Sequence, residues 1–138
     1  MKKIAIAIDG PSGAGKSSIA KSLAKRLGII YVDTGALYRA VGVSVLRRGF
    51  DTTDAKAVAG VLNEIKIELK FIDGVQHVFL NGEDVSTAIR LPEASMAASN
   101  VSAIPKVREF LFVFLRDIAK KNNCIMDGRD IGTVVLPD

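Results

Sequence analysis

The chain has 138 residues, 49% hydrophobic and 25% charged, which suits one ordinary globular domain and leaves little room for two. No apolar run approaches the ~18 residues of a membrane helix, the apolar stretch Ile4–Ile8 breaks at Asp9 well short of the roughly 7–15 residues of a signal core, and a single cysteine excludes an internal disulfide framework. The expectation is a soluble, cytoplasmic protein with no membrane partner.

The net charge of +4 is unevenly spread. Residues 1–50 carry nine Lys/Arg against two Asp, whereas residues 51–138 carry ten Lys/Arg against thirteen Asp/Glu. A non-specific nucleic-acid surface needs a contiguous basic face, while a small phosphorylated ligand needs only a few convergent cations. The second reading fits the charge split, so nucleic acid is not an expected partner.

In chain order, Ile4-Ala5-Ile6-Ala7-Ile8 is a short β-branched run bounded by Asp9-Gly10-Pro11, the pattern of a buried parallel strand. From Ser17 to Leu27, the residues Ile19, Ala20, Leu23, Ala24 and Leu27 predict one apolar helix face, closed by Gly28. Ile29–Val32 reads as a second buried strand. Asp33-Thr34 caps a second helix that runs to about Arg48 and stops at Gly49. This order predicts a right-handed parallel α/β core.

The middle of the chain changes character. A helix is expected over Asp54–Asn63; then Ile65, Ile67, Leu69 and Phe71 alternate with Lys66, Glu68 and Lys70 as in a half-buried strand. Asp73-Gly74 and Asn81-Gly82 are hairpin turn signals on either side of Gln76–Leu80. Residues 63–91 thus read as a small antiparallel insertion in the α/β core. Helix resumes at Pro92–Asn100 and again after Pro105, where Val107, Phe110, Leu111, Phe114, Leu115 and Ile118 form a core stripe. Cys124-Ile125-Met126-Asp127 is a third buried strand leading into Asp127-Gly128-Arg129-Asp130. His77 and Cys124 read as a solvated hairpin side chain and a small buried apolar one.

The segment Gly10-Pro11-Ser12-Gly13-Ala14-Gly15-Lys16-Ser17 matches G-x-x-x-x-G-K-[ST] at every fixed position. By composition, a chance match in a chain of this length has a probability of about 0.5%, and this one lies between a predicted strand and a predicted helix. The glycines let backbone N–H groups turn inward around a phosphate, Lys16 brings a cation to the β- and γ-phosphates, and the Ser17 hydroxyl suits Mg²⁺. Asp127 ends its strand where a carboxylate would reach the same Mg²⁺. A nucleoside triphosphate and Mg²⁺ are therefore the expected ligands. A switch GTPase would carry D-x-x-G, and no Asp in the chain has Gly three positions on. Large motor or transport ATPases exceed this size, which leaves small kinases acting on metabolites.

Beyond the phosphate loop, the chain resembles the bacterial cytidylate kinases, a family of nucleoside monophosphate kinases. The resemblance is carried by Ile8–Ser17, Asp33-Thr34-Gly35-Ala36-Leu37-Tyr38-Arg39, Asn81-Gly82-Glu83-Asp84-Val85-Ser86 with Ile89-Arg90, Ala98-Ser99-Asn100-Val101-Ser102, Pro105-Lys106-Val107-Arg108-Glu109 and Asp127–Val135, in family order. It implies ATP-dependent phosphorylation of CMP and dCMP on a P-loop NTPase-type parallel sheet with flanking helices. In that fold residues 63–91 are the inserted acceptor-binding subdomain. It implies that Gly10, Pro11, Ser12, Gly13, Ala14, Gly15, Lys16, Ser17 and Ser18 bind ATP. Arg39 and Arg129 take the acceptor phosphate, with Thr34 beside it, and Lys16, Arg39 and Arg129 form the catalytic set. Ser99, Arg108 and Asp130 select cytosine, whose amine faces a carboxylate and whose ring nitrogen and carbonyl face an Arg. It also implies two further strands and an arginine-bearing lid downstream, so that residues 1–138 are the N-terminal three-fifths of one domain, monomeric when complete. The alternatives are a shortened nucleotide-binding fragment without efficient transfer, or a P-loop kinase for another small metabolite.

Overall fold

The computed structural model describes residues 5–9 and 16–128. In chain order it contains β1 (Ala5–Asp9), α1 (Lys16–Leu27), β2 (Ile30–Asp33), α2 (Thr34–Arg47), α3 (Ala55–Leu62), β3 (Ile67–Ile72), β4 (Val75–Leu80) and β5 (Glu83–Asp84). A short 3-10 turn (Ala88–Arg90), α4 (Pro92–Ser102), α5 (Pro105–Lys121) and β6 (Cys124–Gly128) complete it. The chain divides into two compact units, Met1–Thr34 with Phe112–Asp138, and Gly35–Leu111.

In the first unit three strands form a parallel sheet in the order β1-β6-β2. The central position of β6 explains its composition. Cys124, Ile125 and Met126 are fully buried, as a strand paired on both sides and covered by helix requires. Burial of Cys124 pushes its thiol up to about 11, because the thiolate loses hydration there. Helix α1 lies on this sheet through Ala20 and Ala24, which cluster with Ile125 and with the half-buried Ile6, Leu23, Ile29 and Tyr31. Two apolar residues expected on that face are not on it: Ile19 is 57% and Leu27 54% exposed. The buried face centres on Ala20 and Ala24. Ile19 lies about a third of a turn away, at 100° per residue, and Leu27 is the last helical residue.

Both helices α1 and α2 end on a left-handed glycine. Gly28 (φ +66) and Gly49 (φ +75) let Ile29 N–H reach the Ala24 carbonyl at 3.0 Å and Phe50 N–H the Val45 carbonyl at 3.2 Å, the six-to-one bond of a Schellman close.

The second unit packs helices with a three-stranded antiparallel sheet, β3-β4-β5. Its two hairpin loops each have two residues, as the pairs Ile72↔Val75 and Leu80↔Glu83 show. The residues Asp73 (φ 53), Gly74 (φ 77), Asn81 (φ 49) and Gly82 (φ 88) all stand at positive φ, as a type I′ turn demands. Asn81 also fastens this turn to the chain before β3: its Oδ1 accepts from Lys66 N–H at 2.7 Å and its own N–H donates to the Lys66 carbonyl at 2.9 Å. One sheet face is core, with Ile67, Val78, Leu80 and the following Val85 buried. Helix α3 starts on Asp54, whose carboxylate accepts from the N–H groups of Lys56 and Ala57 at 3.1 and 3.2 Å. Along α5, Val107, Leu111 and Leu115 are buried, and Phe110, Phe114 and Ile118 are half-buried, so the expected stripe is the covered face.

His77, expected as a solvated side chain, is instead partnered. Its Nδ1 lies 3.0 Å from Asp84 Oδ2, and since an ionised carboxylate only accepts, the ring donates. Asp84 Oδ1 accepts from Ser86 N–H at 2.9 Å, while Val78 N–H donates to Ser86 Oγ at 3.1 Å. The Ser86 hydroxyl and N–H, and then His77, hold the Asp84 carboxyl at about 2.

Candidate functional site

In the first unit, the parallel register brings three strand ends to one edge of the sheet. Ile8 pairs with Asp127, Asp9 with Gly128, and Asp33 with Asp127, so β1, β2 and β6 all leave at their carboxyl ends beside an acidic residue. This is the edge at which open α/β sheets take ligands. Six residues after β1, helix α1 begins at Lys16, with Ser17 second. Its first turn holds no acidic residue, and Lys25 and Arg26 lie in its last turn. No acidic side chain of the helix itself therefore neutralises the positive end of its dipole, and the C-terminal cations complement the other end. Residues Gly10, Pro11, Ser12, Gly13, Ala14 and Gly15, which the motif assigns to phosphate, lie outside the described residues. Ser18 is an exposed residue of the first turn of α1. Lys21, further along α1, is not directed to that end: its Nζ lies 5.9 Å from the Tyr31 ring centroid.

The donor set suits Mg²⁺ carried by a nucleotide. Among the described residues no three His, Cys, Asp or Glu gather into an all-protein metal cage. Mg²⁺ accompanying phosphates needs none, because it keeps waters and takes one or two carboxylates plus phosphate oxygens. Asp33 and Asp127, register neighbours at the strand ends, and Ser17, the second residue of α1, are the oxygen-bearing residues that such an ion would draw on.

Of the other expected contacts, Arg39, Ser99 and Arg108 belong to the second unit and Thr34 to the first. Arg39 is half-buried on α2, Ser99 exposed on α4, and Arg108 exposed near the start of α5. Thr34, the first residue of α2, is 4% exposed. Arg129 and Asp130 lie outside the described residues.

Local contacts fix the helices that carry these side chains. Gly42, in the middle of α2, meets α4 so closely that a Cβ there would stand 2.7 Å from Ala97 Cβ. Asn100 Nδ2 donates to Thr52 Oγ1 at 2.8 Å, and Thr52 is buried. At the far end of α2, Arg47 spans both Glu83 oxygens at 3.1 and 3.0 Å. Arg48 reaches Glu64 at 3.3 Å and the Ser44 carbonyl at 3.4 Å. Neither the Gly42 contact nor the Asn100 contact is among the sequence expectations. A glycine within a strongly helical pattern was the signal available for the first; for Asn100 there was none, since its partner is 48 residues away.

A family model described as cytidylate kinase matches residues 6–138. Among curated proteins, the chain is 56% identical over 138 residues to a cytidylate kinase of Caldicellulosiruptor bescii, covering all of this chain and 61% of that protein. It is 54% identical to the cytidylate kinase of Caldicellulosiruptor saccharolyticus with the same coverage. It is 50% identical over 136 residues to that of Solibacter usitatus, covering 99% of this chain and 57% of the relative. The chain thus spans about three-fifths of the length of these relatives. No helix among the described residues is long and apolar enough to cross a membrane.

Proposed function

The chain belongs to the cytidylate kinase family, and on that premise we propose that the full-length protein transfers the γ-phosphoryl group of ATP to CMP and dCMP. The observation that carries the reading is the carboxyl edge of the parallel sheet, where β1, β2 and β6 end in register, with α1 as the next element after β1 and opening on Lys16 and Ser17. That edge supports phosphate binding, and the acceptor residues Arg39, Ser99 and Arg108 stand on helices of the other unit.

Phosphoryl transfer of this kind needs positioning and charge stabilisation more than covalent help from the protein. Lys16 and the N–H groups of the Gly10–Gly15 loop hold the β- and γ-phosphates. Ser17 and Asp127 would hold Mg²⁺, which would supply charge neutralisation for the transferring phosphates. The planar fork of Arg39 grips the acceptor phosphate, with Arg129 and Thr34 beside it. Arg108 faces the ring nitrogen and carbonyl of cytosine, Asp130 its amine, and Ser99 completes the base contacts. Uracil, with a carbonyl where cytosine has its amine, leaves the carboxylate unpaired. The acceptor oxygen then attacks the γ-phosphorus in line, ADP leaves, and closure keeps water from competing.

The test is coupled ADP release by the full-length protein with CMP, dCMP, UMP and AMP. Faster turnover with CMP and dCMP is expected, together with a fall of at least about 100-fold in kcat/KM for Lys16→Ala, the scale of losing one pre-organised charge contact. Equal rates with all four acceptors would remove the cytosine assignment, and an undiminished Lys16→Ala variant would remove the phosphate assignment.

A further inference from the structure

We infer that Gly42 is a positioning residue for the acceptor. Its missing side chain sets how closely α4 lies against α2, and so the spacing between Arg39, on the phosphate, and Ser99, on the base. This rests on the proposed function and adds to it a residue that touches neither substrate.

The argument starts from an unfavourable choice. Glycine weakens a helix interior relative to alanine, and Gly42 sits deep inside the 14-residue α2 and is buried there. Packing explains it. A Cβ at this position would meet Ala97 Cβ at 2.7 Å, and also the Ala97 carbonyl carbon at 3.0 Å and the Ala98 nitrogen at 3.1 Å. Two of the three obstacles are backbone, so no rotamer change relieves them, and α4 itself must shift.

Such a shift is transmitted to Ser99. Ala97 and Ala98, immediately before it, are the residues that Gly42 holds. Asn100, immediately after it, is tied to the buried Thr52 hydroxyl at 2.8 Å, and Ser102 Oγ donates to the Ser99 carbonyl at 2.9 Å. The side chain of Ser99 is exposed while the backbone on both sides of it is pinned. Arg39 lies three residues before Gly42, nearly one turn, on the same helix. The contact at Gly42 is thus a rigid link between the helices that carry the two acceptor contacts. A ligand gripped at its phosphate and at its base is sensitive to that spacing, because displacements of about 1 Å can cost ~100-fold in rate.

The experiment uses the full-length protein and begins with wild type. If it does not phosphorylate CMP, the functional reading fails and this inference with it. With wild type active, Gly42→Ala is expected to remain folded by circular dichroism, to raise KM for CMP roughly tenfold, and to leave KM for ATP within about twofold. It should also narrow the preference for CMP over UMP. Adding Ala97→Gly removes the 2.7 Å overlap but not the backbone contacts, so it should restore part of the CMP affinity. Thr52→Val, a milder change at the second pin, should raise KM for CMP about threefold without touching KM for ATP, and it serves should Gly42→Ala not fold. Either variant folded with an unchanged CMP KM, or with both KM values raised alike, overturns the inference while leaving the kinase reading intact.

Discussion

The Asn81 turn offers a stability test in which two physical contributions separate. Asn81 stands at φ 49 in the β4–β5 turn, a region that costs an ordinary L-residue roughly 1–2 kcal/mol and costs Asn or Gly less. Its Oδ1 also accepts from Lys66 N–H at 2.7 Å, a bond worth about 0.5–1.5 kcal/mol net, towards the low end here because Asn81 is exposed and water can take its place. Its Nδ2 contact to the Glu64 carbonyl, at 3.5 Å, is at the limit of a hydrogen bond and contributes little. Asn81→Ala loses both contributions, for a destabilisation of about 2 kcal/mol. Asn81→Gly keeps the backbone freedom and loses the acceptor, about 0.5 kcal/mol. Asn81→Asp keeps the acceptor and tolerates the conformation, and should lie within about 0.5 kcal/mol of wild type. Equilibrium urea unfolding of the full-length protein measures the series, with an unchanged m-value showing that only stability has moved. For a protein of the length of these relatives the alanine variant should lose roughly 4–8 °C in Tm. An alanine variant within 0.5 kcal/mol of wild type would refute the reasoning, as would an aspartate variant as damaged as alanine. Glycine no better than alanine would show that φ plays no part.

Two further outcomes follow from the titrating groups. Asp84 should titrate near 2 in a carboxyl-detected NMR series, rising towards 3.8 in Ser86→Ala; because the folded value is depressed, its contribution to stability is present above about 4 and is lost as pH falls towards 2, and a wild-type value of 3.8 would contradict the network. Cys124, held up to about 11 by burial, should resist a thiol reagent at pH 8 until denaturant exposes it, and stability should fall as pH rises above about 9, where the unfolded thiol ionises first; rapid labelling of the native protein would contradict its burial.

What could be read from the sequence was local. The Asp73-Gly74 and Asn81-Gly82 turns were legible because a two-residue hairpin needs positive φ at both positions and few residue pairs accept it. The Asp54 cap and the two glycine-closed helices were legible for the same kind of reason. Ile19 and Leu27 were misplaced because periodicity finds the apolar face of a helix, not which part of that face the sheet will cover. His77 was misjudged because its partner Asp84 comes from the next strand and nothing in a histidine's own neighbourhood announces a cross-strand carboxylate. The candidate site divides along the same line. Lys16 and Ser17 belong to a loop pattern whose chemistry is contained in its spacing, whereas Ser99 and Arg108 are exposed helical residues of ordinary kind. Family resemblance singles them out, and no property of the residues themselves does.

The contacts that hold α2 differ in how much they can decide. Arg47 and Glu83 form a two-pronged pair, but their side chains are 44% and 60% exposed. Arg48 and Glu64 meet at 3.3 Å with Glu64 65% exposed. Pairs of this kind contribute from nothing to about 1 kcal/mol and weaken with salt. They restrain the end of the helix without fixing its position to a fraction of an ångström, because long side chains can follow a small shift. The Gly42–Ala97 approach has no such slack: the opposing atoms are backbone and a methyl group, and closely packed interiors respond to added volume by moving whole elements. Precision in the second unit therefore comes from an absent side chain rather than from the visible ion pairs. The residues that set the distance between Arg39 and Ser99 are accordingly uncharged.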